Sequence, residues 1–258
     1  MYPNHLAWRF TGSSARVMLA VLDPLQNLSE ISNEFTRLFS GNKVFLADLP
    51  CGSGAASLSI LSIFCELRKK GIVPRTPIHI VIIGGEISVF AQRYAKEILN
   101  YLVNELAEQA ITIEVNIIDW DVCDNFSNTE LVKKLKLTSQ KCSKKLLFIA
   151  NFSGFLEGDN KWPEANNQFE KLFQYSENTN VMILWIEPKT NKVINNNGFF
   201  PRLVKWFRKT FSQFIGKNKE MEDKQYAQDR VKVQHPLVEN SIFKTNLAVK
   251  KFYLPKKE

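Results

Sequence analysis

The chain has 258 residues, of which 45% are hydrophobic and 23% charged. That length suits one large α/β domain, or one domain with appendages, and the apolar content excludes a globally disordered chain. The net charge of +8 lies in residues 201–258, which carry 14 Lys and Arg against 6 Asp and Glu, while the first 200 residues balance. A basic patch of this kind attracts RNA, DNA or another polyanion, or is a solvated face of a lysine-rich protein. No apolar run is long enough to cross a membrane, which excludes a helical membrane protein. The first ten residues, MYPNHLAWRF, lack the basic-then-apolar layout of a secretory signal. Cys51, Cys65, Cys123 and Cys142 form no C-x-x-C pair and have no histidine at ligand spacing. The expectation is reduced thiols, no bound metal and a cytoplasmic protein.

Residues 1–42 precede the first core strand. Ser13 or Ser14 is placed to cap a helix over 15–22, which Asp23-Pro24 ends. A second helix follows over 29–39, closed by Gly41-Asn42. Val44, Phe45, Leu46 and Ala47 then form an apolar run that reads as a strand buried on both faces. Asp48 stands at its end. Pro50, Cys51, Gly52, Ser53 and Gly54 make a tight loop, and Ala55, Ala56 and Ser57 open an apolar helix to about residue 70. A strand, a glycine turn and a helix start bring backbone N–H groups and a helix dipole to one point.

Residues 78–83 (IHIVII) read as a second buried strand ending in Gly84-Gly85-Glu86, followed by an amphipathic helix over 89–106. An acid at this strand tip is where a Rossmann-like fold holds ribose hydroxyls. Residues 111–118 (ITIEVNII) read as a third strand, with Asp119, Trp120 and Asp121 after it and Asp124 close by. Three carboxylates this close suggest a metal, but His5, His79 and His235 are all distant in sequence. Residues 144–150 (KKLLFIA) form a fourth strand with Asn151 and Phe152 at its tip, and residues 181–186 (VMILWI) a fifth, followed by Glu187.

A helix is expected over 164–175 and another over 199–214. The latter carries Phe200, Leu203, Val204, Phe207, Phe211 and Phe214 at helical spacing. Such a stripe reads as core. The interleaved Arg202, Lys205, Trp206, Arg208 and Lys209 can instead read an RNA strand by charge and stacking. Residues 217–229 are polar and read as a loop or exposed helix. Residues 230–234 and 241–253, split by His235-Pro236, read as strands.

The loop reads D-x-x-x-G-x-G. Ser57 stands where the dinucleotide fingerprint G-x-G-x-x-G has its third glycine, and no G-K-[ST] ending follows. The loop resembles motif I of the class I S-adenosylmethionine (SAM) dependent methyltransferases, in the variant with Pro50 for the first glycine. GGEIS at 84–88 resembles their motif II, G-x-D/E-x-S. The resemblance implies a three-layer, Rossmann-like, seven-stranded, mostly parallel α/β sheet closed by a C-terminal antiparallel hairpin. It implies a methyltransferase-like domain over 43–258, with residues 1–42 as a helical arm or lid over the cofactor.

It also implies that SAM is held by Asp48, Pro50, Cys51, Gly52, Ser53 and Gly54, with Glu86 on the ribose and Ile87 against the adenine. Asp119 or Asp121 would take the adenine amino group, and Asp119 is preferred because it follows the strand directly. Trp120 would stack on the base or turn into the core. Asn151 and Phe152 occupy the family's motif IV position. Nucleic-acid amino-methyltransferases carry D/N-P-P-Y/F there, and the prolines are absent here, so Asn151 is open to contact the cofactor amine instead. No catalytic base is evident.

Two readings follow. One is a SAM-dependent methyltransferase whose acceptor is open, with RNA or another nucleic acid suggested by the basic C-terminal part. The other is a subunit or scaffold of the same fold that works with a partner protein. An NAD-linked enzyme is disfavoured by Ser57 and by the 32 residues separating Gly54 from Glu86, where that fingerprint places its acid about 20 residues on.

Overall fold

A computed structural model describes residues 9–158, 160–177, 181–212, 226–235 and 238–254. Seven strands form one sheet in the order β3-β2-β1-β4-β5-β7-β6. They are β1 (Lys43–Asp48), β2 (Ile78–Glu86), β3 (Ile111–Asp119), β4 (Lys144–Ala150), β5 (Val181–Glu187), β6 (Ala227–Gln234) and β7 (Ile242–Phe252). The first five are parallel, and β7 runs antiparallel to both β5 and β6. This is the Rossmann-like sheet with a closing hairpin that the sequence predicts.

The apolar runs alternate between two cores, as a period of two residues requires. Phe45, Ala47, Leu147, Ile149, Ile183 and Trp185 face one side. Val44, Leu46, Leu146, Phe148, Leu184 and Ile186 face the other. Helices α1 (Thr11–Leu22), α2 (Ser29–Phe39), α3 (Ala55–Lys69), α4 (Val89–Tyr101) and α5 (Val103–Glu108) cover the second side. Helices α6 (Asn125–Ser139), α7 (Ser153–Gly158), α8 (Trp162–Glu177), α9 (Asn191–Ile194) and α10 (Phe199–Thr210) cover the first. Val17 and Leu19 of α1 and Ile31 and Phe35 of α2 lie in the same core as β1 and β4. The two N-terminal helices are therefore packed layer elements.

The stripe on α10 is core: Phe199, Phe200, Leu203, Val204, Phe207 and Phe211 are all buried. Phe214 lies outside the described residues. Phe173 of α8 makes ring contacts with Phe169, Trp206, Phe207, Phe211 and Phe252. Phe173→Ala is expected to cost about 3–5 kcal/mol, because five rigid rings cannot collapse into the void. Chemical denaturation measures it directly.

Helix α1 begins at Thr11, ahead of the predicted 15–22, with Phe10 before it and no side-chain cap, so neither Ser13 nor Ser14 caps it; other elements also differ from those predicted. The helix expected over 89–106 breaks at Leu102, whose N–H takes the carbonyl of Leu99 three residues back, at 3.3 Å. Asn125–Ser139 and Ser153–Gly158 form helices that the sequence reading does not mark; Asp124 caps the first by accepting from Ser127 N at 2.8 Å. Ala227, Gln228 and Asp229, expected in a polar loop, extend β6, because Leu247, Ala248 and Val249 of β7 offer them a ladder. Among the described residues, no helix is long and apolar enough to cross a membrane.

Candidate functional site

Strands β1, β2 and β4 all end on the same edge, so Asp48, Glu86 and Asn151 meet around one crevice of about 390 Å³. Open α/β sheets place ligands there, where the strand order reverses. The wall after β1 is the loop 49–54, with a cis bond between Leu49 and Pro50. Cys51 N donates to Gly85 O at 2.9 Å and Gly54 N to Cys51 O at 2.8 Å, which folds the loop onto the tip of β2.

The two loop glycines have different duties. Gly52 has φ +52°, and a Cβ there would meet nothing within 4 Å among the described residues, which leaves the main chain bare of them there. Gly54 has φ +85°, and a Cβ there would lie 3.2 Å from Ala95 Cα. It lets α3 and α4 approach and does not line the crevice.

Asp48 is 1% exposed. Its Oδ2 accepts from Ser57 N at 3.2 Å and Ser57 Oγ at 2.7 Å, while its Oδ1 has no partner among the described residues. Burial pushes this carboxyl up to about 7; the Ser57 bonds pull the other way, and the charge on Glu86 adds to the rise. Burial likewise holds the neighbouring Cys51 thiol well above its ordinary range. Ser57 reads in sequence as a missing glycine. In the structure it is the partner that orients Asp48.

Glu86 bridges the loop and the next helix. Its Oε2 accepts from Gly52 N at 3.1 Å and its Oε1 from Ser88 N at 2.8 Å. Ile87 beside it is 58% exposed and lines the crevice, as do Pro50, Cys51 and Ser53.

At the β3 tip, Asp119 is exposed and does not line the crevice; Asp121 does. The chain turns after Asp119, and Asp121 Oδ1 accepts from Cys123 N at 2.8 Å, which holds it facing inward. Of the two candidate acids, the fold brings Asp121 to the crevice and leaves Asp119 outside its lining. Trp120 turns into the core at 2% exposure, donating from Nε1 to Asn128 Oδ1 at 3.1 Å, with one edge on the crevice.

At the β4 tip, Asn151 has φ +55°. Its Oδ1 accepts from Arg16 Nε at 2.8 Å and its Nδ2 donates to Ser13 Oγ at 2.9 Å. The motif IV side chain is thus tied to α1, a pairing that nothing in the local sequence signals. Phe152 stacks on Phe155 and packs against Trp120 and Phe169. Beneath it, Glu187 of β5 is 1% exposed and accepts four bonds: from Phe152 N, Ser153 N, Ser153 Oγ and Trp185 Nε1, at 2.7–2.9 Å. The sequence marks Glu187 only as the residue that follows the fifth strand. Its four donors sit on two strand tips, and only the fold brings them together.

A second cavity, of about 720 Å³, opens at the tips of β4 and β5 and shares Arg9, Ser13, Asn151 and Phe155 with the crevice. Of the basic side chains predicted to face a nucleic acid, Arg202, Lys205 and Lys209 are exposed and Arg208 is half-buried. Arg202 is ion-paired with Glu157. Trp206 packs on Trp162, Phe173 and Phe211.

No family model matches the chain, and no curated protein matches it. Solved structures do. The glycopeptide N-methyltransferase MtfA, complexed with sinefungin, is 10% identical, with a TM-score of 0.33 over 84% of this chain and 69% of its own. The Methanococcus maripaludis protein mmp1179, provisionally assigned as a SAM-dependent methyltransferase, is 12% identical, with a TM-score of 0.39 over 99% and 90%. The DNA-bound type ISP restriction-modification enzyme LlaBIII is 12% identical, with a TM-score of 0.42 over 78% of this chain and 16% of its own. Likenesses at this level bear on neither cofactor nor acceptor.

Removing the Glu86 carboxylate should weaken a ribose-bearing ligand and loosen the loop that it clamps. If SAM occupies the crevice with its ribose on Glu86, Glu86→Ala lowers SAM affinity by about 1–3 kcal/mol, through unpaired hydroxyls. Titration calorimetry of the variant beside the wild type reads it.

Proposed function

We propose that the chain is a SAM-dependent methyltransferase whose cofactor lies in the crevice between the loop 49–54 and the tip of β2. The observation that carries this reading is Asp48: a buried carboxyl group with one oxygen unpartnered among the described residues, in the lining of a crevice that also takes in the acid at the β2 tip. A buried acceptor without a donor is costly. A ligand with a cationic amine supplies the missing donor, and one with ribose hydroxyls suits Glu86. The bare main chain at Gly52 leaves room for that ligand to lie against the loop. When bound, SAM supplies an electrophilic methyl group to an acceptor held in line with it.

The chain's own contribution is positioning and exclusion of water. Asp48 and Glu86 fix the donor, Ile87 covers it, and Phe152 and Phe155 form an apolar wall between the crevice and the second cavity. Asn151 stands where the two cavities meet, with its polarity already committed to Ser13 and Arg16. That commitment supports a second reading, a scaffold of this fold that binds SAM without transferring its methyl group. Release of S-adenosylhomocysteine separates the two. Turnover with nucleic-acid, protein or small-acid acceptors supports the enzyme, and SAM binding without turnover on any of them supports the scaffold.

Nucleic acid as acceptor draws its support from the basic charge of residues 201–258. Neutralising Arg202, Lys205, Arg208 and Lys209 together is expected to lower RNA affinity and flatten its dependence on salt. An unchanged salt slope, measured by filter binding, would place any RNA elsewhere.

A further inference from the structure

The second cavity has a charge pattern that the cofactor reading leaves unused. Three cations line it: Arg9 ahead of α1, Arg16 on α1 and Lys192 on α9. None of the three is ion-paired to a carboxylate among the described residues. Arg16 spends only Nε, on Asn151 Oδ1. Its Nη1 and Nη2 have no protein partner among the described residues, and Gly12, one turn back, leaves the space beside them open. Burial works against the Arg16 charge, and the field of Glu187 only partly restores it.

Two acids also line the cavity, Glu157 and Glu187. Glu187 already accepts four hydrogen bonds, and Glu157 is paired with Arg202. Three cations stand against two acids in this lining, one of the acids being ion-paired to Arg202 outside it, and the guanidinium has two free donors, so the lining favours an anion. The cavity touches the crevice at Asn151 and Phe155, so a molecule seated in it reaches toward the cofactor pocket.

We propose that this cavity seats the methyl acceptor and that the acceptor carries a phosphate or carboxylate group held by Arg16, Lys192 and Arg9. The acceptor role rests on the SAM reading; the anion site itself does not.

The test uses the full chain with inorganic phosphate in one arm and succinate in the other, at constant ionic strength, followed by calorimetry. Saturable binding in the millimolar range is expected in at least one arm. Phosphate alone would assign a phosphorylated acceptor, and succinate alone a carboxylic acid. Arg16→Gln is expected to weaken the binding about tenfold or more, since a charged bidentate donor is lost. Lys192→Gln, at an exposed position, is expected to weaken it about threefold, and to leave SAM affinity within about twofold.

Binding of neither anion up to about 50 mM, far above the range that three cations set, would overturn the proposal. So would equal binding by the wild type and both variants. Anion binding lost in both variants, with no SAM binding by the wild type, would sustain the anion site and overturn its role as acceptor pocket.

Discussion

Gly52→Val is expected to abolish SAM binding, at least a hundredfold by calorimetry, while the circular dichroism of the folded sheet persists. Two effects act together. The backbone at Gly52 has φ +52°, in the left-handed region where a β-branched residue is strained by about 1–2 kcal/mol. The crevice face of Gly52 is bare, so the valine side chain would stand in the space that a ligand needs. A shift of the loop would also disturb the Gly52 N–Glu86 Oε2 bond, which joins the two walls. Gly52→Ala should give a smaller loss through the same two causes. Wild-type affinity in the valine variant would take this loop out of the site.

Asp48→Asn should stabilise the fold at alkaline pH and weaken the cofactor together. An unfolded Asp titrates near its ordinary value of 3.8, whereas burial raises folded Asp48 to about 7. Between those values the folded state holds a proton that the unfolded state has released. Its stability therefore falls as pH rises from about 4 to 7, by an amount on the order of a few kcal/mol, and this contribution is flat on either side. Asparagine stays neutral throughout. The variant's advantage over the wild type should grow across that window and plateau above it, read as melting temperature against pH. Parallel curves would mean that Asp48 does not carry the buried charge.

Cofactor binding runs the other way. A cationic amine prefers the ionised carboxylate, so wild-type SAM affinity should rise through pH 7, and Asp48→Asn should lose about tenfold or more. A stabilising substitution that removes binding is the pattern expected of a strained functional carboxylate.

The inner parallel strands β1, β2, β4 and β5 were legible because both of their faces are largely apolar, so each carries a run of apolar residues, whereas the edge strand β3 alternates apolar with polar residues. Asp48 and Glu86 were legible because they end such runs, and strand ends converge. The aromatic stripe of α10 was legible as core from its spacing alone. What the sequence does not show is pairing between residues remote in it. Asn151 is tied to Ser13 and Arg16, more than a hundred residues away, and Glu187 collects donors from the tip of β4. Asp119 was preferred over Asp121 because it directly follows the strand. The turn after β3, held by the Asp121–Cys123 bond, decides which of the two faces inward. The start of β6 was hidden because its residues are polar and take their strand form from β7.

Calorimetric titration of the wild-type chain with SAM, and separately with NAD, tests the central claim most directly. One SAM per chain at micromolar affinity, with no heat from NAD, is the expected result. Absence of SAM binding, or binding of NAD in its place, would contradict the assignment of the crevice.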